Sequence, residues 1–502
     1  MQIPIGPKRA KMSPRADGLV LVAALAFVLG TALRFGSGLH EPLWIDETFT
    51  GAIAAQPDLA GLLHQVWADV NAPFYYAVMF AWARIAGVSN LALHLPSAVF
   101  ATLAAALALR GGSGLDRRTC LVWGTLLGLW PMGLAQASEA RCYALLLLLA
   151  TAAVLAFARL LAAPTRGNAL LWAGLSALAV LTHYYALPVV AAQGGMVLWR
   201  HRSRALPLWP ALLAFLPVLG WIGFHAVRLA AFAQPDIAWQ PPLAPESLPG
   251  TLLRLLGLST ACLLPAVLLL RAWFRVAPPA DADADAATSA ALAALIALAL
   301  VLAVGMLRPS FSLRYCVPCI PGLLLGLAAL VRATAQVRPA LPALVLAVAM
   351  LPAPLGTGPV RGYSFETASA SIAEAGARRL VFLWDHPSSP VGDPAQMRAV
   401  GGFFLARAGH PIPVESVINP WREDPNPRLL AAAGAQPGTA ILWLYDQGLP
   451  KTAARTHPPR IAQIDPAWRC RDHAGDRYAA LVCLRETGTG EADRRRTTEA
   501  LP

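Results

Sequence analysis

Residues 43–48 read Leu-Trp-Ile-Asp-Glu-Thr and follow closely on an apolar run at 18–33. Two adjacent acids at the mouth of a membrane-length run are costly beside hydrocarbon and mark a functional position. Asp46 and Glu47 therefore read as catalytic carboxylates at a membrane surface. The chain around them reads as a polytopic α-helical membrane protein.

The run at 18–33 is preceded by Lys8, Arg9, Lys11 and Arg15. It is long enough to span a bilayer. No small-residue cleavage site follows it; Arg34 and Phe35 do. The expectation is an uncleaved first helix with residues 1–17 in the cytoplasm rather than a signal peptide.

Composition agrees. The 502 residues are 57% hydrophobic and only 14% charged, against about 25% charged in soluble domains. Mean hydropathy is +0.53. The net charge of +12 is spread in small clusters between apolar runs, without a stacking or base-reading module, which argues against nucleic-acid binding.

Hydropathy gives about eleven spans, near 18–35, 91–109, 119–136, 142–161, 168–182, 186–199, 206–226, 249–271, 288–307, 315–331 and 340–355. Basic pairs and triplets (Arg110/Arg117/Arg118, Arg159/Arg166, Arg200/Arg202/Arg204, Arg271/Arg275, Arg332/Arg338) alternate with loops poor in Lys and Arg. The positive-inside rule puts the basic loops in the cytoplasm. It puts the first loop, 36–90, and the segments 137–141, 183–185, 227–248, 308–314 and 356–502 outside. Residues 73–86 are apolar but short and carry Arg84, so they read as an interfacial helix on the outer face.

From 356 the composition changes, and apolar runs shorten to strand length at 380–384, 439–445 and 478–484. Helical stretches near 394–408 and 427–434 separate them. This reads as a small α/β domain over 356–486, outside the membrane, with a disordered tail at 487–502. Cys470 and Cys483 lie in it and would pair in an oxidising compartment. Cys316 and Cys319 form a CxxC inside an apolar run, where small hydrophobic filler is the simpler reading than redox chemistry.

The unusual polar residues fall on one side of this topology: Asp46 and Glu47; Asp69 and Asn71; Glu139, Arg141 and Tyr143; His183 and Tyr184; Arg314 and Tyr315. Each has a bland reading. The acids would cap a helix start, Glu139 and Arg141 would fix a turn, His183 would be a packed interface histidine, Arg314 would snorkel and the tyrosines would belong to an interfacial belt. His94 reads as a packed helix residue. Their shared depth and face favour a common site.

In order, the blocks are Trp44-Ile-Asp46-Glu47-Thr-Phe49, Asp69-Val-Asn71-Ala-Pro73-Phe-Tyr-Tyr76, Leu93-His94-Leu-Pro96-Ser97, Ser138-Glu139-Ala-Arg141-Cys-Tyr143, Thr182-His183-Tyr184-Tyr185 and Arg314-Tyr315. The set resembles the GT-C-type polyprenyl-phosphate-sugar glycosyltransferases, the superfamily of protein O-mannosyltransferases and lipid A aminoarabinose transferases. The resemblance covers 18–350 and implies a GT-C-like catalytic domain over 18–355. It also implies a bacterial inner-membrane enzyme with an undecaprenyl-phosphate-sugar donor. Asn71 and Ala72 depart from the family's usual His-Pro, and His94 stands where an Arg is usual. Asn71 is no general base and a weak metal ligand.

The chemistry of the residues points the same way. An acceptor hydroxyl or amine loses a proton as it attacks, and a carboxylate such as Asp46 assists. The leaving lipid phosphate needs positive charge, which Arg141 or Arg314 supplies in a bidentate fork. Glu47, Asp69 and Glu139 are candidates to orient the acceptor (protein, lipid or glycan) or to share a divalent metal ion. Direct displacement predicts inversion. A nucleoside-diphosphate sugar lacks both a phosphate-cradling glycine loop and access from the right side. A transporter would carry its ionisable residues at midplane in paired halves, which the sequence lacks. A polysaccharide polymerase or ligase using diphosphate-linked lipids shares the topology but would expose a long outer loop between late spans.

Overall fold

Asp46 and Glu47 start a helix, Ile45–Ala54, where the Glu47 carboxylate accepts from the Trp44 backbone N–H at 3.1 Å. Acids in a first helical turn also complement the helix dipole. The computed structural model describes residues 17–36, 38–112, 114–234, 237, 242–276, 282–309, 311–350, 364–420, 423–446, 461–475 and 478–485. The basic N-terminal segment, the end of the span expected to reach 355 and the tail from 487 lie outside these.

Two further helices complete the first loop. Leu59–Ala68 is capped by the Asp58 side chain and ends at Asp69. Pro73–Ala86 opens on a proline, the favoured first helical residue. Its 14 residues extend about 21 Å, short of the ~30 Å hydrocarbon core. It packs against Ile45–Ala54 and Arg166–Thr182.

Six helices among the described residues are long and apolar enough to cross a membrane, and the bent pair Pro245–Leu256 and Leu258–Trp273 would make a seventh. That is fewer than the eleven read from hydropathy, for identifiable reasons. The run at 119–136 breaks at Trp130-Pro131 into Arg117–Gly128 and Pro131–Gln136. Arg166–Thr182 has 17 residues, and Leu341–Met350 is described only as far as Met350, short of the expected end at 355. The two expected spans between 186 and 226 form one helical run, Tyr184–Phe232. It passes through a 3-10 stretch, Arg202–Phe215, whose first residue has φ +47°.

Close approach sets the packing. Gly322 and Gly326 in Ile320–Ala333 face Ala282–Leu307, and a Cβ on Gly322 would sit 2.6 Å from the Ala290 carbonyl oxygen. Small residues four apart let helix backbones approach in this way. The 97° bend is centred on Gly257, whose φ is +79° and whose missing Cβ makes room for the Pro131 ring.

The C-terminal region forms a five-stranded sheet in the order β2-β1-β3-β5-β4. The strands are β1 Arg379–Asp385, β2 Val414–Ser416, β3 Thr439–Asp446, β4 Trp468–His473 and β5 Tyr478–Arg485. β1 runs parallel to β2 and β3, while β5 is antiparallel to β3 and β4. Alternation along β1 sends Leu380 and Phe382 into a core continuous with the membrane helices. It sends Val381 and Leu383 to a second core with Leu429, Ile441 and Trp443. The three strands and two helices expected from sequence are present; the three-residue β2 and the polar edge strand β4 carry little periodic signal. Cys470 and Cys483 face each other across β4 and β5 and are disulfide-bonded. Cys316 and Cys319 are buried free thiols.

This domain docks on the first loop. Phe403 packs on Gly51, Gln396 Nε2 donates to the Gln65 carbonyl at 3.1 Å, and His64 Nε2 lies 3.2 Å from Asp393 Oδ1. Arg407 reaches Asn90 Oδ1 at 2.6 Å and pairs with Glu366.

Candidate active site

A cavity of about 350 Å³ lies where the first loop, the outer helix ends and the C-terminal domain meet. Asp46, Asp69, Asn71, Arg141, Tyr143, His183, Tyr184, Arg314 and Tyr315 all line it. Segments more than 260 residues apart thus converge; Arg314 and Asp46 are separated by 268.

Arg314 Nη2 donates to Asp46 Oδ2 at 3.0 Å, and its guanidinium lies over the Trp44 and Tyr143 rings at 5.3 and 5.4 Å. Arg141 Nη1 donates to the Asp46 backbone carbonyl at 2.8 Å. Both arginines keep a buried Nε without an acceptor among the described residues. Buried unsatisfied donors are rare and call for a partner. Burial works against the charge on Arg141, but nearby Tyr76, Asp46 and Tyr143 outweigh it and hold its pKa above the usual value.

Asp69 ends Leu59–Ala68 and is held in place. Its Oδ1 accepts from the Asn71 backbone and side-chain nitrogens at 2.9 and 2.7 Å, and its Oδ2 from the Tyr76 hydroxyl at 3.1 Å. Burial, then the Asp69 charge, keeps the Tyr76 proton on. His183 packs among Tyr143, Tyr185 and Tyr315. Burial first, then Arg141 and Arg314, depress its pKa to about 3. Neutral His183 suits a cavity that already holds two guanidinium groups.

Two expected site residues stand back from the cavity. Glu47 is fully buried. Its Oε1 accepts from the Ala140 N–H at 2.7 Å and lies 3.1 Å from His94 Nε2, while its Oε2 takes the Trp44 N–H at 3.1 Å. It ties together the segments that carry Asp46 and Arg141. His94 is thus more than a packed helix residue: its Nδ1 reaches the Leu39 carbonyl at 3.2 Å. Glu139 is half-buried beside Arg141 and does not line the cavity.

Sequence reasoning missed the opposite wall: Trp384, His386 and Ser388 at the end of β1, Gln396, and Tyr478 at the start of β5. A signal existed, since ligands collect at the carboxyl ends of parallel strands and Trp384-Asp-His-Pro-Ser388 follows an apolar strand directly. His225 was also missed. It accepts or donates at 2.7 Å with the Tyr184 hydroxyl and reaches the Asp69 carbonyl at 2.8 Å.

Metal binding fits poorly. Among the described residues no three His, Cys, Asp or Glu side chains group closely enough to hold an ion. Asp46 is engaged by Arg314, and Asp69 by Asn71 and Tyr76.

No family model matches the sequence, and no curated protein matches it. Among solved structures, the crystal structure of apo ArnT from Cupriavidus metallidurans superposes with a TM-score of 0.52 at 14% identity, covering 94% of this chain and 98% of that one. The chain shares the fold of that structure. ArnT bound to undecaprenyl phosphate superposes with a TM-score of 0.51 at 15% identity over 93% and 98% of the two chains. At these identities the likeness is one of fold, and it spans the membrane helices and the C-terminal domain together.

Proposed function

We propose that this protein is a membrane glycosyltransferase that moves a sugar from a polyprenyl-phosphate carrier to an acceptor, with inversion, on the outer face of a bacterial inner membrane. The observation that carries this reading is the convergence of Asp46 with Arg141 and Arg314 in one cavity. The acceptor oxygen or nitrogen attacks the anomeric carbon, and Asp46 takes its proton. The bond from that carbon to the phosphate oxygen breaks, and the electron pair leaves with polyprenyl phosphate. The two guanidinium groups balance the charge that grows on the phosphate. Asn71, Tyr143, Tyr184 and Tyr315 supply neutral hydrogen-bonding groups around the reacting centre.

Three further facts support it. Leu229, Phe232, Ile237 and Pro309 give the cavity an apolar side suited to a polyprenyl chain. A solved structure of the same fold holds undecaprenyl phosphate. The Cys470–Cys483 bond suits an exported C-terminal domain, as the basic loops do.

The test is a transfer assay in nanodiscs with a panel of polyprenyl-phosphate sugars and an acceptor-containing membrane extract. Release of polyprenyl phosphate by wild type and its loss in Asp46→Asn are expected. No release from folded protein with any donor would shift the reading to a diphosphate-linked donor.

A further inference from the structure

The two walls of the cavity differ in charge. The wall from the first loop and membrane helices carries Arg141, Arg314, Asp46 and Asp69. Among the described residues, the wall from the C-terminal domain carries Trp384, His386, Ser388, Gln396 and Tyr478, and no Asp, Glu, Lys or Arg.

Its centre is built rigidly. The Trp384 and His386 rings stack with centroids 4.5 Å apart and planes 8° from parallel. Phe49 meets Trp384 edge-on at 5.3 Å. The imidazole is fixed in turn. His386 Nδ1 accepts from the Ser388 backbone N–H at 3.2 Å, and the Ser388 hydroxyl lies 2.6 Å from it. Trp44 joins the walls, with Arg314 over its ring at 5.3 Å and the Tyr478 ring 6.5 Å away.

We infer that the Trp384–His386–Ser388 wall recognises the sugar of the donor and selects a neutral one, a hydroxylated ring without amine, carboxylate or phosphate. This rests on the polyprenyl-phosphate reading above. With the phosphate on Arg141 and Arg314, a cavity at the small end of ligand pockets brings the attached group against the facing wall. An aromatic face packs on the C–H face of a sugar ring, while imidazole, hydroxyl and amide groups meet its hydroxyls. An aminated sugar needs an unengaged carboxylate. Asp46 already receives Arg314, and Asp69 receives Asn71 and Tyr76. An anionic sugar needs a cation beyond the two that hold the phosphate. Trp384 is then a specificity-determining residue contributed by the C-terminal domain.

The test measures binding of the full chain in nanodiscs to undecaprenyl phosphate and to its glucosyl, mannosyl and 4-amino-4-deoxyarabinosyl derivatives. Wild type is expected to bind a neutral-sugar lipid more tightly than undecaprenyl phosphate. Trp384→Leu is expected to remove roughly tenfold of that affinity and leave the sugar-free lipid unchanged; Ser388→Ala should act in the same direction with less disturbance of packing. The aminated lipid binding more tightly than both neutral ones would overturn the inference. So would equal weakening of sugar-bearing and sugar-free lipids in both variants. If wild type binds no polyprenyl phosphate at all, the donor reading itself fails, an outcome distinct from loss of sugar discrimination alone.

Discussion

Arg314 Nη2 lies 3.0 Å from Asp46 Oδ2, so the group best placed to hold a leaving phosphate also grips the carboxylate best placed to take a proton. The pair is only partly buried, at 18% and 23% side-chain exposure, and both partners line the cavity. A phosphate held by Arg314 has the guanidinium's Nε, which keeps no acceptor among the described residues, while Nη2 stays on Asp46.

Asp46→Asn keeps the shape of the side chain and removes its basicity. Transfer should fall by roughly 10²–10⁴-fold, with the unfolding temperature close to wild type. Paired turnover and melting measurements check this; wild-type turnover would remove Asp46 from the mechanism.

Arg314→Ala removes the fork that faces the phosphate. Binding of undecaprenyl phosphate should weaken by about tenfold or more. Arg314→Lys should recover only part, because an ammonium cannot bind in bidentate fashion. Unchanged lipid binding in Arg314→Ala would reduce the residue to a membrane-interface anchor.

Glu47 should matter through stability. It is fully buried, and its partners come from three segments: Trp44, His94 and Ala140. Breaking a buried pair on one side costs about 3–5 kcal/mol. Glu47→Ala and His94→Ala should each lower the unfolding temperature sharply, and the double variant should cost much less than their sum. Additive losses would mean that the two side chains act independently.

This contrast between Asp46 and Glu47 marks how far the sequence could be read. Polar residues at the mouths of apolar runs are expensive, so topology alone placed Asp46, Asp69, Arg141, His183 and Arg314 at one depth. Which of two adjacent acids faces the cavity depends on rotation about the helix, since neighbours point about 100° apart. Trp44 is not a capping residue type, so nothing in the sequence announced that Glu47 accepts from its backbone N–H. The strand signals at 380–384, 439–445 and 478–484 were legible as apolar runs of strand length. The sheet order was not, because it follows from long-range pairing, and it is that order which sets β1 beside β3 and carries Trp384 and Tyr478 to the cavity.

His183 titrates far below its usual range, at about 3, because burial, Arg141 and Arg314 disfavour the imidazolium. The unfolded chain takes up that proton near 6.5, and the folded chain does not. Stability from neutral His183 is therefore complete above about pH 6.5 and declines as pH falls toward 3. The advantage of wild type over His183→Gln should narrow below pH 6.5 by up to about 1.4 kcal/mol per pH unit. Unfolding curves for both proteins between pH 8 and 4.5 would show it. A constant gap would mean that His183 protonates freely in the folded state.

Cys470 and Cys483 close a loop with a sequence separation of 13, for which chain entropy gives roughly 3 kcal/mol of stabilisation. The bond ties edge strand β4 to β5, and Tyr478 at the start of β5 lines the cavity. Cys470→Ser with Cys483→Ser should therefore destabilise the C-terminal domain by about that amount. It should also weaken binding of sugar-bearing lipid more than of undecaprenyl phosphate, since the guanidinium wall belongs to the membrane helices. The bond reports on orientation as well. Mass mapping without reduction, on protein taken from cells in the presence of a thiol-blocking reagent, should recover the Cys470–Cys483 pair and leave Cys120, Cys142, Cys316 and Cys319 as thiols. Blocked, unpaired Cys470 and Cys483 would place the domain in a reducing compartment. The cavity would then open to the cytoplasm, and the acceptor would have to be sought there.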